Sequence, residues 1–228
     1  MLDSIHPSLL ALLSAVNISI ARTLYRSVLL HFGANTTALI SGSISLVLIW
    51  GYYFYSGQVE HWPLQGVAWF VGIGIINGVG GRYLQFLSMK ELGLARTAII
   101  LQTSLIWSTG LAIALLGENL NMAIGAGTAA IMIGSILLVN KGEIELKKIP
   151  MSYYLIPVVA AFLQGLSHLL RKYGYGWIDS ATLGMSISNT FSVVTMIAIM
   201  PFTGEGIPKS FGRQAVLFIV VGAVFNAL

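Results

Sequence analysis

Long apolar runs, each nearly free of charge, constrain this chain more than any other feature. A helix needs about 20 mainly apolar residues to cross a membrane, because the hydrocarbon core is roughly 30 Å thick and a helix rises about 1.5 Å per residue. Backbone polar groups in lipid must be satisfied within the segment, which favours helices. The sequence predicts seven such helices and a shorter eighth, at Pro7–Leu30, Ala34–Tyr55, Leu64–Leu87, Ala95–Leu116, Leu120–Val139, Tyr153–Leu170, Ser180–Phe202 and Gln214–Leu228.

Composition excludes several classes of protein. Of the 228 residues, 56% are hydrophobic and only 9% are charged, whereas soluble domains carry about 25% charged residues. The chain has no cysteine, so disulfides and thiolate metal sites are excluded, and its four histidines lack metal-ligand spacing. The net charge of +4 is carried at helix ends without a basic stripe, which excludes a nucleic-acid partner. The chain is therefore expected in a lipid bilayer.

An internal repeat relates the two halves of the sequence. At an offset of 145 positions, Leu10–Ser43 and Leu155–Ser188 are identical at seven of 34 positions. The polar matches carry most of this signal, and they include the pair Arg26 and Arg171. Each repeat unit holds five helices, and because five is odd, the second unit enters the membrane from the opposite side. Inverted repeats of this kind are typical of secondary transporters.

The repeat predicts two units, residues 7–140 and 151–228. A complete second unit would extend well beyond Leu228, so we expect this unit to be truncated within its third helix.

The stretch "SLIWSTGLAIALLGENLNMAIGAGTAAIMIGSILLVN" resembles the drug/metabolite transporter superfamily in its EamA-type branch. The similar features are Gly117 and Glu118 at a helix end, a short polar turn, and a glycine-rich helix that ends in "GSILL". This resemblance implies an all-α membrane fold of ten helices in two halves, of which about eight are present here, and transport of small organic metabolites. The family has a proline early in its fourth helix, whereas this chain has Leu105, Ile106 and Trp107 there.

Polar side chains within the apolar runs are candidates for a substrate cavity, because polar groups in a membrane are costly and usually face the bundle interior. Asn77, Gly81 and Gln85 share a helix face, and Arg82 lies one position away. A guanidinium can bind a carboxylate through two hydrogen bonds, or it can reach the membrane surface. Trp107 offers either a stacking face or a packing contact. The predicted cavity residues are Asn17, Arg22, Asn77, Arg82, Gln85, Gln102, Trp107, Gln164 and His168.

Three of these predictions compete with structural interpretations. Asn17 and Gln164 could instead join helices by hydrogen bonds. His168 follows Gln164 by four residues and is a candidate for proton coupling, against a purely structural histidine. Gly74 and Gly78 form a G-x-x-x-G pair, which predicts close helix packing.

Charged residues near helix ends are predicted to be structural. Arg26 recurs as Arg171 in the second unit, so both are expected to anchor a helix end at the membrane interface. Arg22 lies one turn deeper and aligns with Ser167, which favours a place in the cavity. Glu118 precedes a helix N-terminus, where the helix dipole favours a carboxylate.

The function predicted from these features is transport of small metabolites, such as amino acids or drug-like compounds, by alternating access. An uncoupled small-molecule channel or a lipid-handling membrane protein is the alternative. No catalytic arrangement of Ser, His and Asp or of paired carboxylates is evident, so neither an enzyme nor a cofactor is expected. The expected location is the plasma membrane. Seven Lys and Arg residues near helix ends lie on the side of the membrane opposite the N-terminus, and two lie on the same side as the N-terminus. Because positive residues favour the cytoplasmic side, this count predicts that the N-terminus lies outside the cell. The family resemblance implies that the N-terminus lies inside.

Overall fold

Eight helices make up the part of the chain that the computed structural model describes, residues 7–56, 62–117, 119, 122–137, 149–206 and 212–227. No strand occurs among these residues, and the predicted all-α membrane fold is confirmed. The helices are α1 (Pro7–Val28), α2 (Ala34–Tyr55), α3 (Leu64–Leu92), α4 (Leu94–Leu116), α5 (Met122–Leu137), α6 (Met151–Tyr175), α7 (Ala181–Thr203) and α8 (Arg213–Ala227).

The helices follow the predicted runs in order and position. Five of them, α2, α3, α4, α6 and α7, are long and apolar enough to cross a membrane. Helix α1 has 22 residues, as many as α2, but it carries Arg22 and Arg26. Helices α5 and α8 contain the shorter apolar segments Gly125–Leu137 and Arg213–Asn226. The predicted structural residue Glu118 lies outside the described residues.

Helix α3 changes its geometry in the middle of the membrane-spanning segment. Its first part, Leu64–Ile76, is α-helical, whereas Asn77–Leu84 forms a π-helix. A π-helix is rare and frequently marks a functional site. The glycines of this segment allow close approach of a neighbouring helix, since a Cβ added at Gly78 would lie 2.9 Å from the Cβ of Thr195. Because a π turn contains more residues than an α turn, it also changes the face on which the following side chains lie.

Helix α4 is interrupted at Thr103, between the segments Leu94–Gln102 and Ser104–Leu116. The backbone N–H of Thr103 donates to the carbonyl oxygen of Ile100 at 3.0 Å, and its hydroxyl donates to the same oxygen at 2.7 Å. Such side-chain bonds to the preceding turn bend helices. The chain therefore has a helix break close to the region where it lacks the family's proline.

Helix contacts occur in two related sets. Helix α1 packs against α8, and α6 packs against α3. Helix α2 also packs against α8, α7 packs against α3, and α2 and α7 contact each other. Exchanging α1 with α6, α2 with α7 and α3 with α8 therefore reproduces these contacts. Helix α4 packs against α6, and α5 packs against α4.

The bundle has a proximal end, where α1 begins, and a distal end, where α1 ends. A cluster of buried apolar residues lies near each end. We call the distal one the Tyr25 cluster; it comprises Ala21, Tyr25, Val28, Leu29, Phe32, Ala34, Ala38, Phe86, Met89, Met196, Ala215 and Ile219. The proximal one, the Phe70 cluster, comprises Tyr53, Phe70, Ile73, Ile178, Leu183 and Ile187.

Close packing of α3 on α7 predicts different outcomes for two neighbouring glycines. A Cβ added at Gly74 would lie 2.5 Å from the carbonyl oxygen of Ser188 and 2.7 Å from the Cβ of Phe191, whereas one added at Gly72 would meet no atom within 4 Å. We expect Gly74→Ala to destabilise the bundle by about 1–3 kcal/mol, as overpacking does, and Gly72→Ala to leave it unchanged. Thermal unfolding in detergent measures both variants, and equal midpoints would contradict this packing.

Candidate functional site

A cavity of about 310 Å³ lies between α1, α2, α3, α6, α7 and α8, in the middle of the bundle. Its lining is mixed, with apolar side chains such as Phe70 and Phe86 beside arginines and amides. Six of the nine side chains that the sequence analysis places in a cavity line this one: Arg22, Asn77, Arg82, Gln85, Gln164 and His168.

Helix α1 contributes one face to the cavity. Ile18, Arg22 and Tyr25 all line it, and their spacing puts them on the same side of a helix. Asn17 is one position round from Ile18 and is absent from the lining. Arg22 is half-buried, and the described part of the structure gives it no hydrogen bond or ion pair.

Arg82 extends from the π-helical segment of α3 toward α7. Its Nη2 atom donates a hydrogen bond of 2.8 Å to Oδ1 of Asn189. Gly42 of α2 leaves room for the guanidinium, since a Cβ at that position would lie 3.3 Å from the Nη1 atom of Arg82. Asn189 also lines the cavity but is missing from the predicted set. Asn189 could have been recognised from the sequence as an asparagine within an apolar run. The repeat gave no support for it, because it aligns Asn189 with the apolar residue Ile44.

Asn77 joins two helices at the cavity wall. The hydroxyl of Ser167 on α6 donates to Oδ1 of Asn77 at 2.8 Å. Ser167 is 1% exposed and is the residue that the repeat aligns with Arg22. The two repeat-equivalent positions therefore differ in role, because one supplies a charge to the cavity and the other supplies a helix-to-helix hydrogen bond.

Two buried hydroxyls in the cavity wall lack a hydrogen bond of normal geometry among the described residues. Tyr25 is 4% exposed and Ser45 is 2% exposed. Within the described part of the chain, the Ser45 Oγ atom has no hydrogen-bond partner, and the Tyr25 Oη atom makes no hydrogen bond of normal geometry, although the hydroxyl of Ser41 lies beside it. Both residues line the cavity. Buried polar groups in proteins nearly always find a partner, so these hydroxyls are available to a bound molecule.

Gln102 and Trp107 are absent from the cavity lining, and α4, which carries them, packs mainly against α6. The ring of Trp107 contacts the ring of Phe162 edge-on, with centroids 5.3 Å apart, and Trp107 is 40% exposed. Gly165 permits this close packing, since a Cβ there would lie 2.8 Å from the Cβ of Trp107. Of the two roles considered for Trp107 from the sequence, a stacking face in the cavity or a packing contact, the structure shows the packing contact.

Arg26 and Arg171, which the repeat predicts to be equivalent anchors, occupy different environments. A side-chain nitrogen of Arg26 donates to the backbone carbonyl of Met89 and thereby joins α1 to α3. Arg171, in contrast, lines the cavity near its proximal end. His168, one turn before Arg171, is exposed and lines the cavity as well.

Glu205, which the sequence analysis did not single out, lies at the distal end. Its carboxylate accepts hydrogen bonds from the backbone N–H groups of Ala34, Asn35 and Thr36 at 2.8, 2.8 and 3.1 Å. These groups form the N-terminus of α2, where the positive end of the helix dipole attracts an anion. The N-cap residue Gly33 has no side chain to satisfy them. Glu205 therefore fastens the loop after α7 to the start of α2.

A helical membrane bundle with an internal cavity of mixed lining between two apolar clusters defines the class of this protein as an integral multi-pass membrane protein. The model of the EamA-like transporter family matches residues 7–140, more than half of the chain. The chain belongs to this transporter family and thereby to the drug/metabolite transporter superfamily. No curated protein matches the chain.

Proposed function

We propose that the protein moves small organic metabolites, such as amino acids or drug-like compounds, across the membrane by alternating access. The observation that carries this proposal is the polar cavity between the two apolar clusters, with Glu205 fastened to α2 at the distal end. In alternating access, two halves rock around a fixed midplane site, so that one end is closed while the other opens.

Residues 7–140 and 151–228 would be the two inverted repeat units that move relative to each other. The sequence offset of 145 positions supports this division. The exchange of helix contacts supports it as well, since the α1–α8 and α6–α3 pairs each join one unit to the other. Glu205 and Ala34 also belong to different units, so rocking would break and remake their hydrogen bond.

The size of the cavity favours small substrates. Ligand pockets span about 300–1,000 Å³, and a cavity of about 310 Å³ lies at the lower end of this range. A metabolite of amino-acid size fits this volume better than a large amphipathic drug or a lipid.

Arg22 and Arg26 are expected to respond differently to substitution. Arg22→Ala should impair transport, because it removes from the cavity wall a charge that has no partner among the described residues. Arg26→Lys should be tolerated, because a lysine can also donate to the carbonyl of Met89. Uptake assays on matched amounts of each variant make the comparison, and equal tolerance at both positions would contradict a cavity role for Arg22.

Reconstitution into proteoliposomes tests transport directly. Vesicles are loaded with a defined mixture of unlabelled amino acids and organic acids, and the uptake of trace radiolabelled counterparts is followed. Alternating access predicts counterflow, which is the transient accumulation of label above its external concentration. Flux that never exceeds the gradient and shows no exchange would instead support an uncoupled channel.

Proton coupling is tested by imposing a pH gradient across the same vesicles. Uptake driven by this gradient is compared between the native protein and His168→Gln.

A further inference from the structure

We propose that the cavity holds an oxyanion-binding subsite, in which Arg22, Arg82, Tyr25 and Ser45 bind the carboxylate or phosphate group of an organic anion. This inference rests on the proposed transport function and specifies its substrate class. The subsite joins α1, α2 and α3, so a bound anion would contact three helices at once.

The charge of the cavity is the first argument. Arg22, Arg82 and Arg171 all line it, and no aspartate or glutamate is among its described lining residues. A positive charge within a membrane-spanning bundle is costly unless it is paired. The one hydrogen-bond partner that the described residues give the guanidinium of Arg82 is the neutral amide of Asn189. A ligand with a negative charge would supply the missing counterion.

The unused hydrogen-bond donors are the second argument. A guanidinium has five N–H donors in a planar fork that matches an oxyanion. Arg82 uses one of these donors in its hydrogen bond to Asn189. The buried hydroxyl of Ser45 is unpaired within the described chain, and that of Tyr25 has only the hydroxyl of Ser41 beside it. Two hydroxyls and a forked cation form a set that is rich in donors and suits the acceptor oxygens of a carboxylate or phosphate.

The placement of these groups is the third argument. Gly42 packs beside the guanidinium of Arg82, and Ser45 follows Gly42 by three residues on the same face of α2. The ring of Tyr25 packs edge-on against that of Phe86, one turn after Arg82 on α3, with centroids 5.1 Å apart. Arg22 lies almost one turn before Tyr25 on the cavity face of α1. The four side chains therefore surround one region of the cavity.

The test uses the full chain, purified in detergent, and pairs of compounds that share a skeleton. These pairs are benzoate with benzamide, succinate with succinamide, and glycerol 3-phosphate with glycerol. We expect at least one anion to raise the unfolding temperature while its neutral partner does not. Whether the carboxylates or the phosphate ester respond identifies the preferred oxyanion. Equal stabilisation by neutral partners, or stabilisation by no anion, would overturn the proposal.

Hydroxyl-deleting variants separate binding from folding. Tyr25→Phe and Ser45→Ala should weaken anion binding about tenfold each, yet the unfolding temperature without ligand should fall little or rise, because neither hydroxyl makes a hydrogen bond of normal geometry among the described residues. Ser192→Ala is the matched control, since its hydroxyl is likewise buried and unpaired among the described residues but lies outside the cavity lining. Unchanged anion affinity in both cavity variants would refute the subsite.

Counterflow with the same compounds distinguishes this inference from the proposed transport function. Counterflow of neutral members without any of anionic members would retain transport and overturn the oxyanion subsite. Anion-dependent stabilisation without counterflow would retain the subsite and contradict transport.

Discussion

Replacing Glu205 with glutamine is expected to open the distal end of the transporter. The carboxylate accepts three backbone N–H groups at the start of α2, whereas an amide has one acceptor oxygen and an NH₂ group that would face those donors. The substitution also removes the charge that the helix dipole stabilises. Hydrogen bonds to charged groups contribute about 1.5–3 kcal/mol each. Loss of one would shift the equilibrium toward a distally open state roughly tenfold or more.

Single cysteines can measure this shift, because the chain has no native cysteine. Ala38→Cys reports on the distal end, where Ala38 is fully buried in the Tyr25 cluster. Met185→Cys reports on the proximal end, since Met185 is exposed and lines the cavity. With the Glu205→Gln protein in detergent, where a hydrophilic maleimide reaches both ends, labelling should rise at position 38 and fall at position 185.

Glu91→Gln is the matched control for this experiment. Glu91 lies near the distal end of α3 and undergoes the same chemical change, but the described residues give it no hydrogen bond or ion pair. We expect its labelling pattern to equal that of the native protein. A rise at both reporter positions in Glu205→Gln would indicate general loosening rather than alternating access.

Replacing Arg82 with glutamine is expected to reduce uptake of anionic substrates about 100-fold. Each charge-assisted hydrogen bond contributes about 1.5–3 kcal/mol, and every 1.4 kcal/mol is tenfold in affinity. A bidentate contact supplies two such hydrogen bonds, so its loss would lower the affinity for the substrate about 100-fold. Arg213→Gln is the control, because Arg213 is exposed at the start of α8. Initial uptake rates at low substrate concentration measure the effect.

A second variant separates the charge of Arg82 from its place in the fold. Asn189→Asp would put a carboxylate where the amide oxygen now accepts from Arg82 at 2.8 Å. The internal ion pair should raise the unfolding temperature while it lowers anion uptake, because the guanidinium would already have its counterion. Native uptake in Asn189→Asp would show that the charge of Arg82 is not used for the substrate.

Much of the helical framework could be predicted from the sequence. The bounds of α2 agree with the predicted run, and the other helices match in order. The physical reason is that the bilayer dictates length and apolar character, and both are local properties of the chain. Gly74 was also recognisable, because a small residue four positions from another on a membrane helix favours close packing.

The face that each helix turns to the cavity was not predictable in the same way. A membrane helix is apolar on its lipid side and its packed side alike, so hydrophobic periodicity does not separate them. Trp107 illustrates this limit, since it contacts Phe162 of α6 and is absent from the cavity lining. The π-helix at Asn77–Leu84 adds a further change of face within α3.

By itself, the sequence determined the class of the protein: an all-α membrane chain of the EamA type with arginines and amides inside its helices. Only the tertiary structure decided which of these side chains meet. The contacts Arg82–Asn189 and Glu205–Ala34 join residues 107 and 171 positions apart. Such pairs depend on how the helices pack around a common cavity, and local chain properties do not encode that arrangement.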